Sequence, residues 1–234
     1  MNKDSLSDRM KRYEKVSSPS LYRKMPVICR VDGRAFHTYA KKFVRPYDVR
    51  LIKSMAGAAT KLAEEMQGFK LAYVQSDEAS FLLTDYETHE TQPWFDNDMS
   101  KIVSLAASLM SVYFNDEIKG RLGPPINKLA VFDARAFNLP REEVANYFLF
   151  RAKDWQRNSL QMYARSVFSH KELNGKKQED MHNMLYEKGK NWTTDLSPQE
   201  KNGTFLVKDG REIKQVINIL PDYESVNDVV KTFV

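Results

Sequence analysis

The chain has 234 residues, 42% apolar and 12% aromatic, which suffices for a sizeable core and excludes a wholly disordered chain. Its one cysteine, Cys29, excludes an internal disulfide and any multi-cysteine zinc site, and points to a reducing setting. Lys plus Arg number 36 against 31 Asp plus Glu, and this net charge of +5 fits a nucleic-acid partner without requiring one.

No segment is expected to cross a membrane. The most apolar stretch, Ile102 to Phe114, is shorter than the ~20 residues a bilayer requires. It also carries Ser104, Ser108 and Ser111. The N-terminal residues have no apolar run of the signal-peptide kind, so a cytoplasmic location is expected.

Residues 1 to 24 are polar and basic. They predict a short helix anchored by Leu6, Met10 and Tyr13, then a break at Ser17 to Ser20. Met25 to Asp32 predicts a strand with Val27, Cys29 and Val31 on one face and Ile28, Arg30 and Asp32 on the other. Gly33 ends it. Asp48 is a candidate cap for a helix to Gln67, with Gly68 as its stop. Leu51, Met55, Ala59, Leu62 and Met66 give that helix one apolar face. Leu71 to Gln75 and Ala79 to Asp85 predict two strands joined by a turn at Ser76-Asp77-Glu78.

Trp94 to Glu117 predicts a second helix, and Asn127 to Phe137 another strand. Arg141 to Phe168 predicts a long helix with Val144, Phe148, Ala152, Trp155 and Met162 buried. Lys153, Arg157, Gln161 and Arg165 form an i,i+4 row on its polar side. Asn174 to Lys177 reads as a basic loop, followed by a shorter helix to Tyr186. Ser197-Pro198-Gln199-Glu200 is a capping box with proline in the first helical turn. Asp209-Gly210 is a turn pair between strands Thr204–Lys208 and Arg211–Leu220. Strands and helices do not alternate strictly, so the expected class is α+β: an antiparallel sheet flanked by helices, with a helical C-terminal part and a β-hairpin. The expected organisation is a basic segment over 1–24, a catalytic part over 25–140, and a helical region with the hairpin over 141–234, packed into the same domain.

Two acidic positions carry the chemical signal. Asp32 ends the first strand and Asp77 tips the first hairpin, beside Glu78. If that strand pairs beside the hairpin, the carboxylates meet at one sheet edge. Hard oxygen ligands suit Mg²⁺, and two such ions serve nucleotidyl transfer. Ordinary turn chemistry places the same residue types at these positions, and both readings stand on these residues alone. Arg30, Arg34, His37, Lys41, Lys42 and Arg45 add cations near Asp32, as a polyphosphate site needs and as a solvated basic surface also shows. There is no P-loop and no G-x-G-x-x-G motif.

The blocks Arg30-Val31-Asp32-Gly33-Arg34-Ala35-Phe36-His37, Arg45-Pro46-Tyr47-Asp48 and Tyr73-Val74-Gln75-Ser76-Asp77-Glu78-Ala79-Ser80 resemble the tRNA-His guanylyltransferase family. The resemblance runs from Met25 to about Trp192. It implies a polymerase-palm-like domain that extends RNA in the 3′-to-5′ direction after activating the 5′ end with ATP. It implies two Mg²⁺ ions, with ATP, GTP and other nucleoside triphosphates as substrates, tRNA as partner, and a homotetramer. By motif match, Asp32, Asp77 and the Gly33 carbonyl would hold metal, and Asp32, Asp77 and Glu78 would form the catalytic set. Gly33, Arg34, Ala35, Phe36, His37 and Ser76 would line the nucleotide site, with Arg30 and Arg45 on phosphates.

Members dedicated to tRNA-His carry H-I-N-N-L-Y-N. This chain has Gln156-Arg157-Asn158-Ser159-Leu160-Gln161-Met162, which points instead to the bacterial-type members that rebuild truncated tRNA 5′ ends on a template. Phe168 to Lys176 also resembles those members. Lys153, Arg157, Asn158, Arg165, Lys171 and Lys176 are the expected RNA contacts. The competing expectations are a tRNA-His-specific guanylyltransferase, a palm-type nucleotide cyclase, and a binding-only protein.

Overall fold

The computed structural model describes residues 5–16, 19–122 and 128–234. In chain order the elements are α1 (Leu6–Lys15), β1 (Val27–Gly33), α2 (Phe36–Tyr39), α3 (Val49–Glu65), β2 (Phe69–Gln75), β3 (Glu78–Leu83), α4 (Met99–Leu122), β4 (Phe132–Asn138), α5 (Val144–Val167), α6 (His170–Leu173), α7 (Gln178–Glu187), α8 (Trp192–Asp195), α9 (Pro198–Asn202), β5 (Thr204–Asp209), β6 (Glu212–Ile217) and α10 (Tyr223–Phe233). The strands form one antiparallel sheet in the order β4-β1-β3-β2-β5-β6. The class is α+β, as the sequence pattern predicts.

Both faces of the sheet are covered, which is why its inner strands read as near-continuous apolar runs. Val27, Cys29 and Val31 of β1 join Val74, Phe81 and Leu206 beneath α3 and α4. Ile28, Tyr73, Leu82 and Phe205 face the other way, against the first half of α5 and against α10. The second half of α5 gathers a third apolar cluster from α6, α7 and α8, including Leu160, Phe168, Leu185 and Trp192. The hairpin β5–β6 is part of the main sheet: Val74 pairs with Thr204 and Leu71 with Val207.

Local chemistry sets the boundaries. The Asp48 side chain caps α3 by accepting from the Arg50 amide. Gly68 follows at φ +79, where a Cβ would lie 2.3 Å from the Thr84 carbonyl oxygen. Several expected boundaries differ. Trp94–Asn97 is a separate 3-10 turn, with Phe95, Asp96 and Asn97 at positive φ, so it cannot continue into α4. The Asp98 carboxylate accepts from the Lys101 amide and starts α4 there. The strand expected over Asn127 to Phe137 begins at Phe132, and Asn127 lies outside the described residues. The hairpin turn falls at Gly210-Arg211, one residue later than the Asp-Gly pair suggests. Leu6, Met10 and Tyr13 anchor nothing among the described residues: α1 has no buried residue. Ser17 and Ser18 of the expected break lie outside the described residues.

Candidate active site

The site sits where β1, the β2–β3 turn and the middle of α5 converge. Asp32 pairs across the sheet with Glu78 on β3 and with Asp133 on β4. β1 therefore lies directly beside the hairpin that carries Asp77. Ser76 and Asp77 alone make the turn, and Glu78 already belongs to β3. The Gly33 amide donates to the Asp77 carbonyl at 3.0 Å, tying the end of β1 to the turn. A Cβ on Gly33 would lie 2.9 Å from the Asp77 Cβ and 2.7 Å from the Phe36 ring. Only glycine permits this approach.

Ser76 turns the chain at φ +47, and Ala35 does so at φ +51. Such conformations in non-glycine residues cost of order 1 kcal/mol and concentrate at functional sites. Beyond Ala35, Phe36 points inward onto Phe114 and Phe132, at ring separations of 5.5 and 6.1 Å. His37 and Arg34 stay exposed.

Burial pushes the Asp77 carboxyl up to about 6, and the nearby Asp32 charge adds to the rise while the Ser76 hydroxyl opposes it. Asp32 is also raised, first by burial and then by Glu78. Arg30 lies 3.5 Å from Asp32 and 3.7 Å from Glu78. Among the described residues no three His, Cys, Asp or Glu side chains cluster as a metal site. The donors on offer are the Asp32 and Asp77 carboxylates. These are hard oxygen donors in a crowded negative field, which suits a hydrated Mg²⁺ that takes few protein ligands.

Two cavities meet at the turn. The larger, about 400 Å³, has His37, Arg45, Leu51 and Met55 on its walls. The smaller, about 320 Å³, has Asp32, Glu78, Arg151, Asp154 and Asn158. Ser76, Asp77, Gln75, Trp155, Met162 and Arg165 line both. Of the expected nucleotide residues, Phe36, His37, Arg45 and Ser76 line the larger cavity, and Asp32 the smaller; Arg30, Gly33, Arg34 and Ala35 line neither.

The polar row on α5 divides. Gln161 and Arg165 reach the cavities, Arg157 is paired with Asp154, and Lys153 is exposed. Of the other expected RNA contacts, Asn158 lines the smaller cavity, whereas Lys171 and Lys176 are exposed away from both. Met162, expected in the core, is only partly buried and forms cavity wall.

Sequence reasoning missed two structural partners of the site. Arg151 holds both Glu78 oxygens, at 2.7 and 2.6 Å. Ser159 is fully buried and bonds the Tyr47 hydroxyl, the Trp192 indole and the Glu200 carbonyl, pinning the Arg45–Asp48 wall to α5. An arginine in an apolar helix stripe is a visible signal that something buried must balance it.

The profile of the tRNAHis guanylyltransferase (Thg1) family matches residues 7–140. A bacterial tRNA(His) guanylyltransferase (Thg1)-like protein solved in complex with ATP superposes with a TM-score of 0.87 at 40% identity, covering 97% of this chain and 99% of that one. Another, in complex with GTP, gives 0.80 at 35% identity, covering 98% and 99%. The tRNA(His) guanylyltransferase of Schizosaccharomyces pombe is 31% identical over an alignment of 156 residues that covers 64% of this chain and 56% of that protein. The chain thus spans about half the length of that curated enzyme. Family profile, palm-like fold and the paired Asp32 and Asp77 blocks agree: the chain belongs to the tRNA-His guanylyltransferase family of tRNA nucleotidyltransferases.

Proposed function

We propose that this protein adds nucleotides to the 5′ end of tRNA in the 3′-to-5′ direction, selecting each by pairing with the opposite strand, and so repairs shortened 5′ ends. The observation that carries this reading is the position of the Asp77 turn, on the shared wall of two cavities and tied to the end of β1. One cavity has an apolar wall of Leu51, Ile52 and Met55, which suits a base. The other is lined by carboxylates and suits metal-bound phosphates. ATP and GTP complexes of the bacterial relatives support a triphosphate substrate.

Asp32, Asp77 and the Gly33 carbonyl would hold two Mg²⁺ ions, which when bound would lower the pKa of the attacking hydroxyl and offset triphosphate charge. Arg45 and Arg165 would bind phosphate oxygens, and His37 would border the base. Ser76 orients Asp77 through its 2.9 Å hydrogen bond. Gln156 replaces the histidine of the tRNA-His-dedicated motif, so base pairing supplies the selectivity and the protein supplies shape and phosphate contacts. The reaction belongs in the cytoplasm. Among the described residues no helix is long and apolar enough to cross a membrane.

The test is a 5′-extension assay with Mg²⁺, ATP, all four triphosphates and a tRNA lacking its first nucleotide. Addition of only the templated nucleotide supports the proposal. Guanosine added to full-length tRNA-His regardless of template would replace it with the dedicated role that the curated relatives are named for. Cyclic product from triphosphate alone would indicate a cyclase. Asp32→Ala and Asp77→Ala should each abolish addition and leave tRNA binding within about threefold, since neither is a groove contact. Near-wild-type addition by either variant would remove it from the ligand set.

We also propose a homotetramer. The exposed Leu6, Met10 and Tyr13 lie on one amphipathic helix that has no buried residue, as a subunit contact would leave it in a single chain. Sedimentation equilibrium should give the mass of four chains; a monomer mass at micromolar protein would refute the assembly.

A further inference from the structure

We propose that Arg151 is a positioning residue of the acidic site: held on α5, it locks Glu78 and thereby fixes the Asp77 turn between the two cavities. The inference rests on the functional reading above for its kinetic test, but its geometry stands alone. Glu78 is the first residue of β3, directly after the two-residue turn. Anchoring it therefore anchors Asp77 from one side, while the Gly33 amide holds the turn from the other.

The Arg151 contact is bidentate, Nε to Oε1 at 2.7 Å and Nη2 to Oε2 at 2.6 Å. Both residues are buried, at 8% and 6% exposure. Planar guanidinium and planar carboxylate in that register define an orientation as well as a distance. Nη2 also lies 3.4 Å from Asp154 on the next turn of α5, so the arginine is braced on its own helix. Arg30 approaches Glu78 from β1 at 3.7 Å. Charges thus alternate from Asp32 through Arg30, Glu78 and Arg151 to Asp154.

This occupancy separates Arg151 from a substrate contact. Two of its nitrogens are committed to Glu78 although the residue borders the smaller cavity. It likewise gives Glu78 a role distinct from its neighbour: both its oxygens are taken by an arginine. Glu78, grouped with the catalytic carboxylates by motif, acts in this proposal through position.

The experiment compares Arg151→Met, Arg151→Lys, Arg151→Gln and Arg151→Gln/Glu78→Gln. Arg151→Met should lower kcat for 5′ addition about 100-fold through misplacement of Asp77. KM for the triphosphate should move less than about threefold. Arg151→Lys, with one point charge in place of a fork, should recover part of the loss. The paired glutamine variant should recover more than Arg151→Gln alone, because no buried charge is left unpaired. A second readout is independent of turnover. Mn²⁺ binding, followed by electron paramagnetic resonance, should weaken about tenfold in Arg151→Met, as for loss of a ligand-supporting group.

If Arg151→Met does not fold, Arg151→Lys and the paired variant carry the same comparison. Wild-type kcat and Mn²⁺ affinity in folded Arg151→Met, Arg151→Gln or Arg151→Lys would overturn the proposal. A KM increase larger than the kcat loss would also overturn it, making Arg151 a substrate contact. Should the wild type add no nucleotide to any tRNA, the functional reading fails, and the Mn²⁺ comparison still decides the role of Arg151.

Discussion

A single hydrogen atom at Gly33 lets two chain segments share the acidic site. The Asp77 Cβ and the Phe36 ring both stand under 3.0 Å from where a Gly33 Cβ would be, and neither is the free tip of a flexible side chain. Phe36 is fixed by Phe114 and Phe132, so relief must come from the Asp77 turn. Gly33→Ala should therefore destabilise the fold by about 1–3 kcal/mol, the usual cost of overpacking. It should also lower the extension rate about 100-fold, since a displacement near 1 Å at the proposed metal ligand Asp77 suffices for that. Denaturant unfolding and the extension assay measure the two effects separately. Unchanged turnover in the alanine variant would mean that the turn moves freely and that its tie to β1 is not functional.

At the scale of elements, the wall between Phe43 and α3 is held by one carboxylate. Asp48 accepts from the Arg50 side chain at 2.9 and 2.7 Å and from the amides of Arg50 and Val44. The Arg50 guanidinium, with these amides, holds its carboxyl down at about 2 despite opposing burial. A folded pKa below the unfolded value of about 3.9 means that the contribution is complete above pH 4 and is lost as pH falls through 2. Arg50 is 40% exposed at its side chain, so solvent screens the pair and reduces its contribution. Asp48→Asn should thus lie below wild type in stability at pH 6, and the gap should close between pH 4 and pH 2. A gap independent of pH would assign the loss to packing.

The same scale separates what sequence reveals from what it conceals. β1 and the first hairpin were legible because alternation and turn chemistry are local, and their pairing follows from adjacency. Asp32 beside Glu78 needed only that step. The Arg151 fork was not legible, because it joins α5 to β3 across some seventy residues of intervening chain. Trp155 is buried as its place in the stripe predicts, but Met162 read as core because a helix stripe has the same period whether it covers a sheet or a cavity. The basic row on α5 read as one surface, yet Asp154, one position off that row, draws Arg157 to itself. Leu6, Met10 and Tyr13 showed the period of a buried face, yet all three are exposed.

For the molecule as a whole, the acidic site sits where the interior strands β1 and β3 end, while the cluster around α6 to α8 holds basic residues out to solvent. Lys153, Lys171 and Lys176 are all exposed, and none of them lines a cavity. Under the proposed function selectivity comes from base pairing, and these groups are needed only for phosphate. Each phosphate neutralised releases condensed counterions, so affinity for tRNA should fall with salt at roughly 0.7–0.9 log units per contact per decade. Lys171→Glu/Lys176→Glu should weaken binding of every tRNA alike and reduce that salt slope by about 1.5, the loss of two contacts. It should leave kcat at saturating tRNA unchanged, because the acidic site lies elsewhere in the fold. Filter binding from 50 to 300 mM salt gives the slope, and the extension assay gives kcat. A slope equal to wild type would move the RNA track off this surface and onto the α5 side, where Asn158, Gln161 and Arg165 already border the cavities.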